Sequence, residues 1–354
     1  MSAWWERALR SAVLLGAILA MSLSVAAQGS GKITGVVTNG TAGGSGVGSG
    51  LTVTLRTLGG EAGLEPLATI TGTDGRFSFE ALDTNPSIEY WPEVGYQGVS
   101  YGVAQGLAFR DGTTELPVSL AVYEATEQDG SLRVESVHIV AESFEKVLRL
   151  SEVLVLANSG DRTFVGRAHD EVDTRLATVF IPLPTNAVGM ALPENEPAGR
   201  FVQVEDGLWD TQPVRPGANA SVVRFSYHLL VEGSSVLLER QFPYPVSSFT
   251  VLAVQPGLAV RADQLTAGET VTFQDREYQV YTAEGLPADV PLGLELVQGG
   301  VSGTFAMPPD GTTAARPAGT GQQGILRWLG IGLVVIAMGL AVAYPFLTRT
   351  RSEA

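Results

Sequence analysis

Apolar and polar residues alternate along most of this chain, with the two-residue period of half-buried strands. Residues 32–38, 51–55 and 68–71 carry the pattern near the start. Asp74-Gly75 then supplies a tight turn, and Phe77 and Phe79 point to one face, with Leu82 closing the same core. The pattern resumes after residue 130. In residues 132–140 the alternation places Leu132, Val134, Ser136, His138 and Val140 on one face. Residues 147–157 (VLRLSEVLVLA) predict a longer strand. Asn158-Ser159-Gly160-Asp161 predicts a turn, residues 163–165 a short strand, and residues 176–181 a strand stopped by Pro182-Leu183-Pro184. Residues 209–217 read as turns. Strands follow at 222–227, 237–242, 249–254, 270–273 and 278–281. Between the two ends no stretch keeps a helical period. The expected fold is all-β, with two antiparallel β-sandwich domains over residues 28–123 and 124–298, beginning the second with a polar connector at 124–130.

Two stretches break the alternation. Arg7 and Arg10 precede an apolar run over residues 11–25, and Val25-Ala26-Ala27 puts small residues where a signal peptidase cuts. Residues 1–27 therefore read as a signal peptide cleaved before Gln28. Residues 328–347 (WLGIGLVVIAMGLAVAYPFL) are uncharged, and at about 1.5 Å per residue they match a hydrocarbon core about 30 Å thick. Trp328 and Tyr344 sit near the interfaces, and Arg349 and Arg351 follow at once. Residues 325–347 are the expected transmembrane helix and 348–354 a cytoplasmic tail. Residues 299–324, rich in Gly, Pro, Ala and Thr, read as a flexible linker. The expected plan is a single-pass type I membrane protein of the cell envelope, with both sandwiches extracellular and the membrane as partner through the C-terminal helix.

Composition narrows the chemistry. The 354 residues include no cysteine and three histidines. That excludes a disulfide framework, a thiolate metal site and a cysteine nucleophile. The net charge of −15 excludes nucleic acid, whose phosphates need a basic surface. His138, His169 and His228 are far apart, and His169 alone has acidic neighbours, Asp170 and Glu171. No cofactor is expected. Gly29-Ser30-Gly31-Lys32 fails as a phosphate loop because Ala26 stands where a glycine is needed and Ile33 where Ser or Thr is needed. No G-x-S-x-G elbow and no H-E-x-x-H motif occurs.

Gly35-Val36-Val37, Val53-Thr54-Leu55 and Thr73-Asp74-Gly75-Arg76-Phe77-Ser78-Phe79 with Leu82 resemble the strand motifs of the carboxypeptidase regulatory-like domain, a prealbumin-like sandwich in the wider starch-binding-like class. This chain lacks one residue between Asp74 and the glycine. The resemblance implies a sandwich over about 90 residues and no catalytic residue. In the second domain the long strand, the Asn-Ser-Gly-Asp turn and Asp210-Thr211-Gln212-Pro213-Val214-Arg215-Pro216-Gly217 resemble the plan of exported bacterial proteins of unknown role.

Tyr90, Trp91, Tyr96 and Tyr101 cluster within twelve positions and form a candidate stacking platform for sugar rings. Strand parity sets Trp91 against Tyr90 and Tyr96, so one flat row does not follow from the sequence. The expected function is non-catalytic: binding, adhesion or scaffolding outside the membrane, with an envelope protein or a glycan as partner. The alternatives are a surface carbohydrate-binding module and an extracytoplasmic hydrolase whose carboxylates the sequence does not single out.

Overall fold

The computed structural model describes residues 31–59, 65–194, 196–273 and 275–299. The expected signal peptide (1–27), the linker beyond residue 299, the transmembrane helix (325–347) and the tail (348–354) lie outside the described residues. Every regular element among the described residues is a strand. The chain divides into two compact units, the first ending at Glu124 and the second beginning at Ala125.

The first unit holds β1 (Gly31–Asn39), β2 (Thr52–Leu58), β3 (Leu67–Ile70), β4 (Arg76–Leu82), β5 (Glu89–Tyr96), β6 (Val99–Gly102) and β7 (Glu115–Val122). They form a three-stranded sheet, β4-β1-β7, and a four-stranded sheet, β3-β2-β5-β6. Alternate residues of both sheets make the core: Ile33 and Val37 of β1, Val53 and Leu55 of β2, Phe77 and Phe79 of β4, and Leu120 and Val122 of β7. Each large aliphatic side chain buried this way contributes about 1.5–3 kcal/mol. Two glycines are dictated by contact. A Cβ on Gly35 would lie 2.2 Å from the Phe77 ring, and Gly75 takes φ 75° with Val37 O 2.4 Å from where its Cβ would be. β1 runs antiparallel to β4 but parallel to β7, in register from Lys32 opposite Glu115 to Asn39 opposite Val122.

The second unit opens with β8 (Ala125–Thr126), inside the stretch expected to be a polar connector, which pairs with β11 (Thr163–Phe164). β9 (Leu132–Phe144), β10 (Val147–Asn158), β15 (Ala187–Ala191), β18 (Gly217–Leu230), β20 (Val246–Gln255), β22 (Thr266–Phe273) and β23 (Arg276–Leu286) build a seven-stranded sheet in the order β15-β18-β10-β9-β20-β23-β22. β12 (Arg167–His169) and β13 (Val172–Ala177) form a hairpin. β14 (Val179–Pro182), β17 (Gly207–Asp210) and β16 (Phe201–Gln203) form a small sheet. β19 (Ser235–Arg240), β24 (Leu292–Gln298) and β21 (Leu258–Arg261) form another. One core joins the large sheet to both small ones: Ile139, Leu150, Leu154, Phe225 and Leu229 meet Leu238, Leu258, Leu294 and Leu296, and also Ile181 and Leu208.

Three of the sheets hold a parallel pair, which corrects the purely antiparallel expectation. β1 lies parallel to β7, β9 to β20, and β8 to β11. Parallel neighbours come from distant segments, which local alternation does not report. The phase of β9 also differs from the sequence reading. Val155 of β10 faces Ser136 while Leu156 faces Val134, so Glu135 is an extra residue, a β-bulge. Leu132 and Val134 enter the core, and beyond the bulge Val137, Ile139 and Ala141 do so. Ser136, His138 and Val140 therefore take the opposite face.

Candidate functional site

β5 sets where the candidate platform residues go. Its burial alternates, with Tyr90, Pro92 and Val94 inward and Glu89, Trp91 and Glu93 outward. Tyr90 is 3% exposed, its ring meets Phe109 edge-on at 5.7 Å, and its hydroxyl donates to the Asp83 carbonyl at 2.8 Å. Burial, then the nearby Asp83 charge, raises its pKa above the usual tyrosine value. Tyr101 is 2% exposed and donates to the Tyr123 carbonyl at 2.9 Å. Both tyrosines belong to the core. Tyr96 shares the parity of Tyr90 and is half-buried, while Trp91 is half-buried on the outer face. The four rings therefore do not share a surface.

Trp91 stands in a defined setting. Its cross-strand partner on β2 is Arg56. Glu89 and Glu93 flank it on the same face. Arg56 pairs with Glu93 at 3.2 Å, and the Ser100 hydroxyl donates to Glu93. Gly106 lies against the indole edge: a Cβ there would sit 2.8 Å from Trp91 Nε1 and 2.8 Å from Glu89 Oε2. The indole N–H is buried without a hydrogen-bond partner, a cost of about 1–3 kcal/mol. An aromatic face beside two carboxylates, a guanidinium and a hydroxyl is chemistry that suits a polyol, with C–H groups on the ring and hydroxyls on the charged atoms.

In the second unit the buried charges close on one another. Arg240 Nη2 donates to Glu152 Oε2 at 2.9 Å, Tyr227 donates to Glu152 Oε1 at 2.5 Å, and Arg240 Nη1 donates to the Pro182 carbonyl. Both charged side chains are fully buried. Burial and the Glu152 charge push the Tyr227 hydroxyl well above its ordinary pKa. A second cluster gathers at Arg200, which reaches Asp210 at 2.7 and 3.0 Å, Glu196 at 3.0 Å and the Ser221 hydroxyl at 3.0 Å. The three histidines stay apart, on β9, β12 and β18, and among the described residues no group of three or more His, Asp or Glu is placed to hold a metal.

One cluster escaped the sequence reading. Phe180 and Trp209 are cross-strand partners with ring centres 4.8 Å apart, and His169 lies 4.4 Å from Trp209. The Trp209 indole donates to Glu171 Oε2 at 3.2 Å. Residues 209–217 read as turns, yet Leu208 in and Trp209 out is the alternation of a short strand. In the first unit an open groove of about 360 Å³ lies between β3 and β4, lined among others by Thr69, Ile70, Arg76 and Phe77.

No protein-family model and no curated protein sequence matches the chain. Among solved structures it is similar to an M1 zinc metallopeptidase from Deinococcus radiodurans, at 14% identity and a TM-score of 0.28, over 48% of this chain and 42% of that one. The chain thus spans less than half of that enzyme. The full-length RrgB pilus protein from Streptococcus pneumoniae aligns at 12% identity and a TM-score of 0.19, covering 80% of this chain and 64% of that one. BcpA, the major pilin subunit of Bacillus cereus, aligns at 10% identity and 0.18, covering 75% and 95%. At these values the likeness carries neither family nor activity to this chain.

Proposed function

We propose that this is a non-catalytic binding protein of the cell envelope, exported by its signal peptide and held by its C-terminal segment, with two β-rich units acting in adhesion or scaffolding outside the membrane. The observation that carries the reading is the closure of the buried acids. Glu152 is held by Arg240 at 2.9 Å and Asp210 by Arg200 at 2.7 Å, so these carboxylates serve the core and the working groups are those on the outer sheet faces. The first unit is read as a carboxypeptidase regulatory-like domain, because its three motifs fall on β1, β2 and the turn into β4. Trypsin added to intact cells carrying the full chain should digest both units while leaving cytoplasmic markers whole. Units that survive until the cells are lysed would sink the topology.

A second reading, glycan binding by the first unit, is favoured by Trp91 and its setting of Glu89, Glu93 and Arg56. On a glycan array the full chain should retain a polyol ligand, and Trp91→Ala should weaken it by about tenfold or more. Retention that ignores the substitution removes this reading.

A further inference from the structure

The outer face of the seven-stranded sheet carries the inference furthest. On β10 and β18 the core takes Leu148, Leu150, Glu152 and Leu154, and Val223, Phe225, Tyr227 and Leu229. The alternate residues face outward in cross-strand rows. Leu230, Val147 and Phe144 make the first row, across β18, β10 and β9. His228, Arg149 and Glu142 make the second, with Val188 of β15 beside His228. Ser226, Ser151 and Val140 make the third, and Arg224 and Val153 the fourth, which ends at the buried His138.

Two properties set this face apart. Leu230 is 58% exposed, Phe144 47% and Val188 45%, so large apolar side chains stand together in solvent. The four rows on β18, β10 and β9 also carry more basic than acidic side chains in an acidic chain, Arg149 and Arg224 against Glu142. Arg149 and Arg224 form no ion pair among the described residues. Glu142, the acid in these rows, is engaged by Arg276 at 2.6 Å. Gly189 packs against the half-buried His228: a Cβ there would sit 3.2 Å from its Nδ1.

We propose that this face docks a protein partner through a segment carrying carboxylates beside apolar side chains. Arg149 and Arg224 would receive the carboxylates, the guanidinium fork suiting a two-pronged contact. Leu230, Phe144 and Val188 would cover the apolar residues, and Ser151 and Ser226 would offer hydroxyls between them. Charge complementarity decides the occupant. A chain of net charge −15 is repelled from an anionic membrane as a whole, whereas a short acidic segment meets the local basic face alone.

The test uses the full chain and a fluorescent peptide of alternating Glu and Phe or Val, with a Lys-for-Glu peptide as control. Anisotropy should show binding of the acidic peptide only, weakening as salt rises from about 0.05 to 0.5 M. Arg149→Glu with Arg224→Glu should weaken binding by about tenfold or more, and so should Leu230→Gln at its exposed position. Arg149→Lys with Arg224→Lys should retain more binding than the charge reversal, which separates lost charge from lost fold. Three results overturn the proposal: equal binding of both peptides, binding indifferent to the variants, or, in place of peptide binding, binding to phosphatidylglycerol vesicles that the two charge reversals abolish. Self-association of the chain that these same variants abolish would also overturn it, by assigning the face to a second copy. None of these outcomes depends on the glycan reading, which concerns the first unit.

Discussion

Replacing Arg240 by methionine should destabilise the second unit by about 3–5 kcal/mol, read as a lower midpoint in urea unfolding. The guanidinium sits on β19 and holds Glu152 of β10 at 2.9 Å, while also donating to the Pro182 carbonyl of β14. Glu152 has no exposure, and its second oxygen already accepts from Tyr227 at 2.5 Å. Without Arg240 its charge stays in the core with a single hydroxyl to face it. The double variant Arg240→Met with Glu152→Leu should recover most of the loss, because removing both charges also removes the cost of burying them. A loss below about 1 kcal/mol in the single variant would mean that water or another cation reaches Glu152.

Acid should weaken the same unit through His138. Burial lowers its pKa from 6.5 to about 4. The unfolded chain therefore takes up a proton near 6.5, while the folded chain resists until about 4. Stability from this residue is full above pH 6.5 and declines as pH falls toward 4, by about 3 kcal/mol in all. Its neighbours across the ladder, Val153 and Thr250, are uncharged and offer the imidazolium no counter-ion. His138→Phe removes the titration. The stability of the variant minus that of the wild type should rise by about 3 kcal/mol from pH 7.5 to pH 4, and the subtraction cancels the carboxylates common to both. A difference that stays flat with pH would place the imidazole in water.

Much of the strand order was legible because alternation is a local signal. Residues 147–157 form the long strand that the sequence predicts, with Leu148, Leu150, Leu154 and Leu156 inward, and Phe77 and Phe79 enter the core together. The phase of β9 was not legible, because the bulge at Glu135 is fixed by register against β10 rather than by its own residues. His138 consequently lies opposite to Leu132 and Val134. The parallel neighbours were hidden for a related reason: Ile139 meets Val251 over a hundred residues later, and no local pattern names that partner. The Glu152–Arg240 pair is 88 residues apart and each member looks, in sequence, like an ordinary surface charge. Among the candidate aromatics, parity separated Trp91 from Tyr90 correctly, but the burial of Tyr101 depends on Tyr123, which lies outside the cluster.

The neighbouring parallel strands β1 and β7 govern how the first unit transmits force. Because they run the same way, the chain enters at Gly31 and leaves after Val122 at opposite ends of one ladder. A pull on the two ends acts along the strands, loading the rungs from Lys32–Glu115 to Asn39–Val122 together in shear. They cannot unzip one at a time, as a hairpin pulled from its open end would. A load applied between Gly31 and Val122 therefore falls on the unit's longest uninterrupted ladder, along its strands.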